Sequence, residues 1–178
     1  MLKAQLTSIK QLKPGVNYTE IQTNAYKIIL QGLKDVGILQ GDIEEMYSKN
    51  IHGIFMPHHL GHYIGYKTHD VGLQVKTGRD KEEKKKYAVL HDNAVLRPGM
   101  TITVEPGIYF IDVLIQKSKS EEIQYYFKYD VLDQYKKEIG GIRIEDCLII
   151  TDNGFENCTR CPRTVEQIEQ CMRGEPWQ

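Results

Sequence analysis

The sequence predicts an α+β fold in which helices come first and strands follow. Two features carry this prediction. Apolar residues recur at helical spacing in residues 4–12 and 21–36, and short β-branched runs separated by glycine and proline follow residue 50. With 178 residues the chain is long enough for a sizeable core, and we expect residues 1–178 to form one domain.

The predicted helices begin and end at recognisable signals. Pro14-Gly15 separates the first helix, residues 4–12, from the second helix. Thr19, which is followed by acidic and amide side chains, is the predicted cap of the second helix, and Gly37 is its predicted end. A shorter helix is expected over residues 42–49.

Strands and two further helices are predicted in the rest of the chain. The expected strands are residues 51–55, 73–75, 101–105, 108–114 and 142–151. Amphipathic spacing predicts a helix over residues 121–137. A terminal helix is expected over residues 164–172, with Thr164 as its cap.

The bulk composition argues against several classes of partner. The 23 basic and 24 acidic residues give a net charge of −1, so we expect no nucleic-acid or membrane partner. No apolar run reaches the roughly 20 residues of a membrane span, and we expect a cytoplasmic protein with reduced cysteines. Cys158 and Cys161 have the spacing of half a zinc site, but no second half lies nearby in the sequence, and we expect an ordinary loop there.

Histidines and carboxylates provide the strongest chemical signal. Four of the six histidines fall within a dozen residues: His58, His59, His62 and His69. Glu105 and Glu145 each end a short β-branched run, where a strand can hold a side chain rigidly. Neutral imidazole and carboxylates on rigid elements suit a divalent cation. The pattern therefore predicts a metal-dependent hydrolase.

The order and spacing of six sequence blocks extend this signal over the whole chain. The blocks are LKPGV at 12–16, FMPHHLGH at 55–62, HDVG at 69–72, LRPGMTITVEPGIYFI at 96–111, GGIRIED at 140–146 and PRTVEQI at 162–168. Together they resemble the C-terminal catalytic region of the Xaa-Pro dipeptidases (prolidases), which are pita-bread metallopeptidases. The resemblance implies a partial pita-bread fold of the α+β class.

The resemblance also implies roles for individual residues. The family binds two divalent ions, commonly Mn²⁺, and His62, Glu105 and Glu145 match three of its ligands. His58 and His69 match two histidines that handle substrate and protons, and Glu105 also matches the candidate general base. The implied substrate is a dipeptide with a C-terminal proline.

Two further positions are implied to contact substrate. Arg143 matches an arginine that orients the site and can hold a carboxylate, although an internal ion pair with Asp146 or Glu145 is an equally good interpretation. His91 stands where an arginine that grips the carboxylate of the dipeptide is expected. His59 replaces a glycine that the family usually has beside the site.

The sequence departs from the family at its metal site. The family's other two ligands are aspartates on strands that precede the first helix, and none of the aspartates considered has that context: Asp35, Asp42, Asp70 and Asp92. We therefore expect the chain to lack the first strands of the pita-bread fold. One weakened cation site, or none, is expected in place of two.

Three readings of the function remain open at this point. The leading one is the catalytic region of a proline dipeptidase, with activity of this chain alone in doubt. The alternatives are a non-catalytic peptide- or protein-binding module of the same fold and an orphaned structural fragment. Sheet edges left open by the absent strands invite pairing with another chain, so we also expect a homo-oligomer.

Overall fold

The computed structural model describes residues 1–70, 94–119 and 122–176. The helices in these ranges are α1 (Leu2–Lys10), α2 (Tyr18–Asp35), α3 (Ile43–Ser48), α4 (His52–Phe55), α5 (Asp112–Ser118), α6 (Tyr129–Ile139) and α7 (Val165–Met172). The strands are β1 (Thr101–Val104), β2 (Gly107–Tyr109), β3 (Gly141–Arg143), β4 (Asp146–Thr151) and β5 (Gly154–Asn157). The expected α+β class is confirmed.

The strands form two small antiparallel sheets. One sheet has the order β1-β4-β5, and β2 and β3 form the other. The N-terminal helices α1, α2 and α4 supply much of the core, which also contains the buried side chains of β1 and β4. Within the described ranges, no helix has the length and apolar character that crossing a membrane requires.

α2 is the longest helix of the described residues and packs against α1, α3 and α4. Its buried face carries Tyr18, Ile21, Ala25, Tyr26, Ile29, Leu30 and Leu33. The predicted cap, Thr19, was two residues too late, because Asn17 caps the helix by accepting the Thr19 N–H at 3.0 Å. The predicted end is confirmed, since Gly37 follows the helix with a positive φ of 80°.

Two predicted strands were wrong over all or part of their length. Residues 51–55 form the short helix α4, which Asn50 introduces with a positive φ of 56°. Alternating burial is absent there, because Ile54 and Phe55 are both buried. The strand predicted over residues 108–114 ends at Tyr109, and α5 begins at Asp112.

The C-terminal half contains three further differences. The strand predicted over residues 142–151 is two strands, β3 and β4, which belong to different sheets. The helix predicted over residues 121–137 begins later, as α6, after a single 3-10 turn at Gln124–Tyr126. β5 was not predicted, and the strand predicted over residues 73–75 lies outside the described residues. The terminal helix and its Thr164 cap are confirmed.

Candidate metal centre

Both candidate glutamate ligands lie where the chain passes between the two sheets. In the last pair of β1 and β4, Val104 lies opposite Asp146. Beyond this pair, two residues on each segment are outside the strands, and pairing resumes in the same register between β2 and β3, where Gly107 lies opposite Arg143. Carried through that break, the register places Glu105 opposite Glu145. The sheet boundary therefore brings the two carboxylates together.

The segment of residues 60–64 runs along the other edge of β1. The Thr103 N–H donates to the carbonyl of His62 at 2.9 Å, and the Glu105 N–H donates to that of Leu60 at 2.7 Å. β1 therefore lies between this segment and β4. The three candidate ligands come from three neighbouring stretches of backbone, although they are far apart in sequence.

The side chains of His62, Glu105 and Glu145 converge. One ligand atom from each lies within 4.8 Å of the others, and the residues that the structure describes contain no second group of this kind. His62 and Glu105 are buried, with 8% and 6% exposure, whereas Glu145 is exposed. One imidazole nitrogen and carboxylate oxygens are a donor set that fits a divalent cation such as Mn²⁺ or Zn²⁺.

The His62 ring faces Glu105 in an arrangement that favours a bound cation. Its Nδ1 lies 2.8 Å from the Tyr63 carbonyl, which can only accept, so Nδ1 carries a proton. Its Nε2 lies 3.1 Å from Glu105 Oε1. In the neutral ring these two atoms are both acceptors. Either a second proton or a cation must therefore lie between them, and the hydrogen bond to Glu105 raises the pKa of His62.

Glu105 remains ionised despite its burial. Burial alone would raise the pKa of its carboxyl. The hydrogen bond and charge of His62, the Thr103 hydroxyl and the Arg143 guanidinium outweigh burial and lower the pKa. The site therefore presents a carboxylate, the form that binds a cation or accepts a proton.

Thr103 is a site residue that the sequence analysis missed. It is fully buried, and its Oγ1 accepts the His62 N–H at 3.0 Å while it lies 3.1 Å from Glu105 Oε1. The hydroxyl can donate to that carboxylate oxygen and so hold its orientation. The available signal was the Thr-Val-Glu spacing, because residues two apart on a strand share a face.

Arg143 forms an internal ion pair, but with neither of the expected partners. Its Nη1 donates to Glu105 Oε2 at 2.6 Å, and its Nε donates to the Tyr109 hydroxyl. Asp146 is fully buried and pairs with Arg163 instead. The side chain of Arg143 is 41% exposed, so part of the guanidinium still faces solvent beside the site.

Two of the candidate ligands, His62 and Glu105, line a cavity of about 410 Å³. It is lined by Pro57, His58, His59, Gly61, His62, His69, Glu105 and Arg143. The His69 ring lies 4.3 Å from the His62 ring, centroid to centroid. His58 Nδ1 lies 2.7 Å from the His59 carbonyl, while its buried Nε2 has no hydrogen-bond partner among the described residues. Burial lowers the pKa of His58, which favours the neutral ring.

The structure thus brings together most of the side chains that the sequence singled out. His58, His62, His69, Glu105 and Arg143 share one cavity, and Glu145 joins the ligand group from the neighbouring backbone. His91 lies outside the described residues. Cys158 and Cys161 are exposed free thiols and do not belong to the described metal-ligand group.

Two Xaa-Pro peptidases are similar in sequence to nearly the whole chain. The chain is 38% identical to the Xaa-Pro dipeptidase of Rattus norvegicus over 98% of its own length and 35% of that protein. It is also 38% identical to a probable Xaa-Pro aminopeptidase of Ajellomyces dermatitidis, over 98% of the chain and 36% of the relative. The chain thus spans about a third of the length of these relatives.

A solved structure shares the fold. A variant of Escherichia coli aminopeptidase P in complex with substrate superposes with a TM-score of 0.69 at 31% identity, covering 97% of this chain and 32% of that one. The fold is therefore a partial pita-bread fold. The model of metallopeptidase family M24 matches residues 1–152. The chain belongs to metallopeptidase family M24.

Proposed function

We propose that this chain is part of a proline dipeptidase, a metal-dependent hydrolase of dipeptides with proline at the C-terminal position. The observation that carries the proposal is the convergence of His62, Glu105 and Glu145 from three separate segments. Family membership and the similarity to Xaa-Pro dipeptidases support the reaction class. We take residues 1–178 as one domain of that enzyme.

The proposed cation is Mn²⁺, held by His62, Glu105 and Glu145. A divalent cation held there would polarise the scissile carbonyl and lower the pKa of bound water. We propose that this chain supplies three ligands of one ion and a single ligand, Glu145, of a second. On this view the chain alone forms one weakened site, and the remaining ligands belong to sequence outside it.

The residues around the cation supply proton transfer. Glu105 is ionised and is the proposed general base, which takes a proton from water and passes it to the leaving nitrogen. The amide nitrogen of proline has no hydrogen, so it leaves well only after it gains a proton. His58 and His69 line the same cavity and are the proposed partners of the substrate in this transfer.

Two positively charged or titratable residues are proposed to bind the substrate carboxylate. Arg143 stands at the cavity with its guanidinium already on Glu105, so it can orient the base and offer its exposed face to the substrate. The proposed second contact is His91. Carboxylate binding by an imidazole would weaken as pH rises through the histidine pKa.

A direct experiment measures Gly-Pro hydrolysis and bound manganese on the same protein. We expect one Mn²⁺ to bind, binding to be lost in His62→Ala, and turnover to be absent or very slow. Rapid hydrolysis that His62→Ala abolishes would show that the chain forms a sufficient site and contradict its proposed incompleteness. A protein that binds no Mn²⁺ and does not hydrolyse Gly-Pro would contradict the proposal.

A second candidate is an Xaa-Pro aminopeptidase, which the equal identity to a probable enzyme of that name favours. The two differ in substrate length, because an aminopeptidase accepts residues after proline. The two activities are distinguished by the rates of Gly-Pro and Gly-Pro-Ala hydrolysis, measured on a protein that includes the remaining ligands. Cleavage of Gly-Pro alone supports the dipeptidase.

We further propose that the protein is cytoplasmic and forms a homo-oligomer. All three residues of β3 are exposed, and α7 exposes Val165 at 67% and Met172 at 83%. An open strand and an apolar helix face are surfaces that associate readily. Light scattering across a range of concentrations tests the oligomer, and a monomer at high concentration would contradict it.

A further inference from the structure

A stripe of polar side chains runs along the buried face of α2. Tyr18, Gln22 and Tyr26 are spaced four residues apart, which places them on one side of the helix. Tyr18 is 1% exposed and Tyr26 is 8% exposed, and both belong to the core. None of the three is a candidate ligand, and the proposed reaction uses none of them. We call these three residues the α2 polar stripe.

Each member of the stripe binds a main-chain group of the metal centre. The Tyr18 hydroxyl donates to the Thr103 carbonyl at 2.9 Å. Gln22 Oε1 accepts the Leu60 N–H at 2.9 Å. The Tyr26 hydroxyl donates to the His58 carbonyl at 3.0 Å. One helix face therefore contacts both the histidine segment and β1.

Gly61 packs closely against both the Thr103 carbonyl and the Tyr18 hydroxyl. A Cβ added to Gly61 would lie 2.0 Å from the Thr103 carbonyl oxygen and 2.5 Å from the Tyr18 hydroxyl. Burial and the charge of Glu105 raise the pKa of Tyr18, so its hydroxyl stays protonated and can donate. The backbone next to His62 is thus held between α2 and β1.

We propose that the α2 polar stripe consists of positioning residues that set the His58 and His62 segment against β1, and that Tyr18 and Gln22 thereby fix the geometry of the cation site. This inference rests on the proposed function and deepens it. Buried backbone groups need partners in any fold. Here, however, the partners come from one helix and bind two segments that together supply His58, His62 and Glu105.

Three variants remove one contact each, a fourth is a conservative rescue and a fifth is the matched control. Tyr18→Phe and Tyr26→Phe delete one hydroxyl, and Gln22→Met deletes the acceptor for Leu60. Gln22→Glu retains an acceptor oxygen and serves as the conservative rescue. Tyr47→Phe is the control, because the Tyr47 hydroxyl lies 3.1 Å from Thr23 Oγ1 of α2, and among the described residues it has no hydrogen bond to a group of the metal centre.

The first readout is Mn²⁺ affinity, measured well below the melting temperature of each variant. We expect Tyr18→Phe and Gln22→Met to weaken binding about tenfold, as changes behind metal ligands typically do. Gln22→Glu and Tyr47→Phe should stay within about twofold of the parent chain. Tyr26→Phe should also stay close to it, because His58 is not a ligand. Equal affinities for Tyr18→Phe, Gln22→Met and Tyr47→Phe would overturn the proposal.

The second readout is amide hydrogen exchange of residues 58–63 without added cation. We expect faster exchange there in Tyr18→Phe, Gln22→Met and Tyr26→Phe than in Tyr47→Phe, and equal exchange in all four would overturn the proposal. This readout separates the two claims. A parent chain that binds no Mn²⁺ contradicts the proposed function, and the exchange rates then decide whether the stripe holds the segment.

Discussion

His62 Nε2 and Glu105 Oε1 lie 3.1 Å apart, although the other nitrogen of the same ring already donates its proton to the Tyr63 carbonyl. Without a cation, this contact is favourable only when His62 carries a second proton. A metal ion replaces that proton, because it binds the imidazole lone pair and the carboxylate together. Proton binding and cation binding at His62 Nε2 therefore compete.

The first prediction concerns the titration of His62. Glu105 raises the pKa of His62, so Glu105→Gln should lower it towards the ordinary value. The ion pair stabilises the cation-free fold fully below the unfolded pKa, and this stabilisation is lost as pH rises through the folded pKa. Imidazole chemical shifts followed by NMR measure the pKa. An unchanged pKa in Glu105→Gln would contradict the pairing.

The same linkage predicts how cation affinity depends on pH. Mn²⁺ must displace the second proton of His62, so affinity should rise with pH until the ring is neutral. Calorimetry in buffers of different ionisation enthalpy measures the released proton. Binding without proton release below the His62 pKa would show that the ion binds elsewhere.

The second prediction concerns Thr103. Thr103→Val leaves the shape nearly unchanged but removes the acceptor of the His62 N–H and a donor to Glu105. We expect a loss of about 1–3 kcal/mol in the free energy of unfolding, because a buried N–H is left without a partner. Thr103→Ser keeps the hydroxyl and should retain both hydrogen bonds. Its free energy of unfolding should fall only by the cost of the lost methyl group.

Urea denaturation of the cation-free protein measures this effect. Thr101→Val is the matched control, because Thr101 lies on the same strand and is only partly buried. Equal losses in Thr103→Val and Thr101→Val would show that the Thr103 hydroxyl has no special role.

The third prediction concerns acid stability at His52. Its ring stacks between Tyr26 and Tyr47, and burial lowers its pKa from 6.5 to about 4. The unfolded chain therefore binds the proton more readily, and stability falls as pH drops from 6.5 to 4. Because the ring is partly exposed, we expect a loss of only about 1–2 kcal/mol from this group.

His52→Phe should remove that part of the acid sensitivity while keeping the stacked rings. Urea denaturation of both proteins at pH 7 and pH 4.5 provides the test. The difference between the two pH values should be smaller in the variant. An identical acid loss in both proteins would place the sensitivity in other groups.

The fourth prediction concerns Gly61. The Cβ of Gly61→Ala would lie 2.0 Å from the Thr103 carbonyl oxygen, which is backbone and cannot turn aside. We expect a destabilisation of at least about 2 kcal/mol, together with weaker Mn²⁺ binding. Gly154→Ala is the control, because among the described residues no atom beyond its two chain neighbours lies within 4 Å of the added Cβ. Thermal unfolding that is the same for both variants would contradict the close packing.

Local sequence signals predicted the fold only where local forces determine it. The α2 helix and the Thr164 cap were predicted because helical spacing and capping chemistry act over a few residues. Residues 51–55 were predicted as a strand because a short apolar run does not distinguish a buried helix from a strand. The break between β3 and β4 was missed because sheet membership depends on pairing with β1 and β2, far away in sequence.

The site shows the same division. His62, Glu105 and Glu145 were predicted from their chemistry and from family resemblance, and the register then brings them together. Thr103 and the α2 polar stripe were not predicted, because a buried hydroxyl or amide looks like any other core residue until its partner is known. The ion pair of Arg143 with Glu105 was not predicted, because the two residues are 38 positions apart and only their strand register brings them together.

The most direct test of the cation site is anomalous diffraction from crystals grown with Mn²⁺. We predict one strong manganese peak, coordinated by His62 Nε2 and by carboxylate oxygens of Glu105 and Glu145. Replacement of His62 by alanine should remove that peak while leaving the surrounding backbone in place. Manganese bound elsewhere, or three side chains that turn away from one another around an empty centre, would contradict the account.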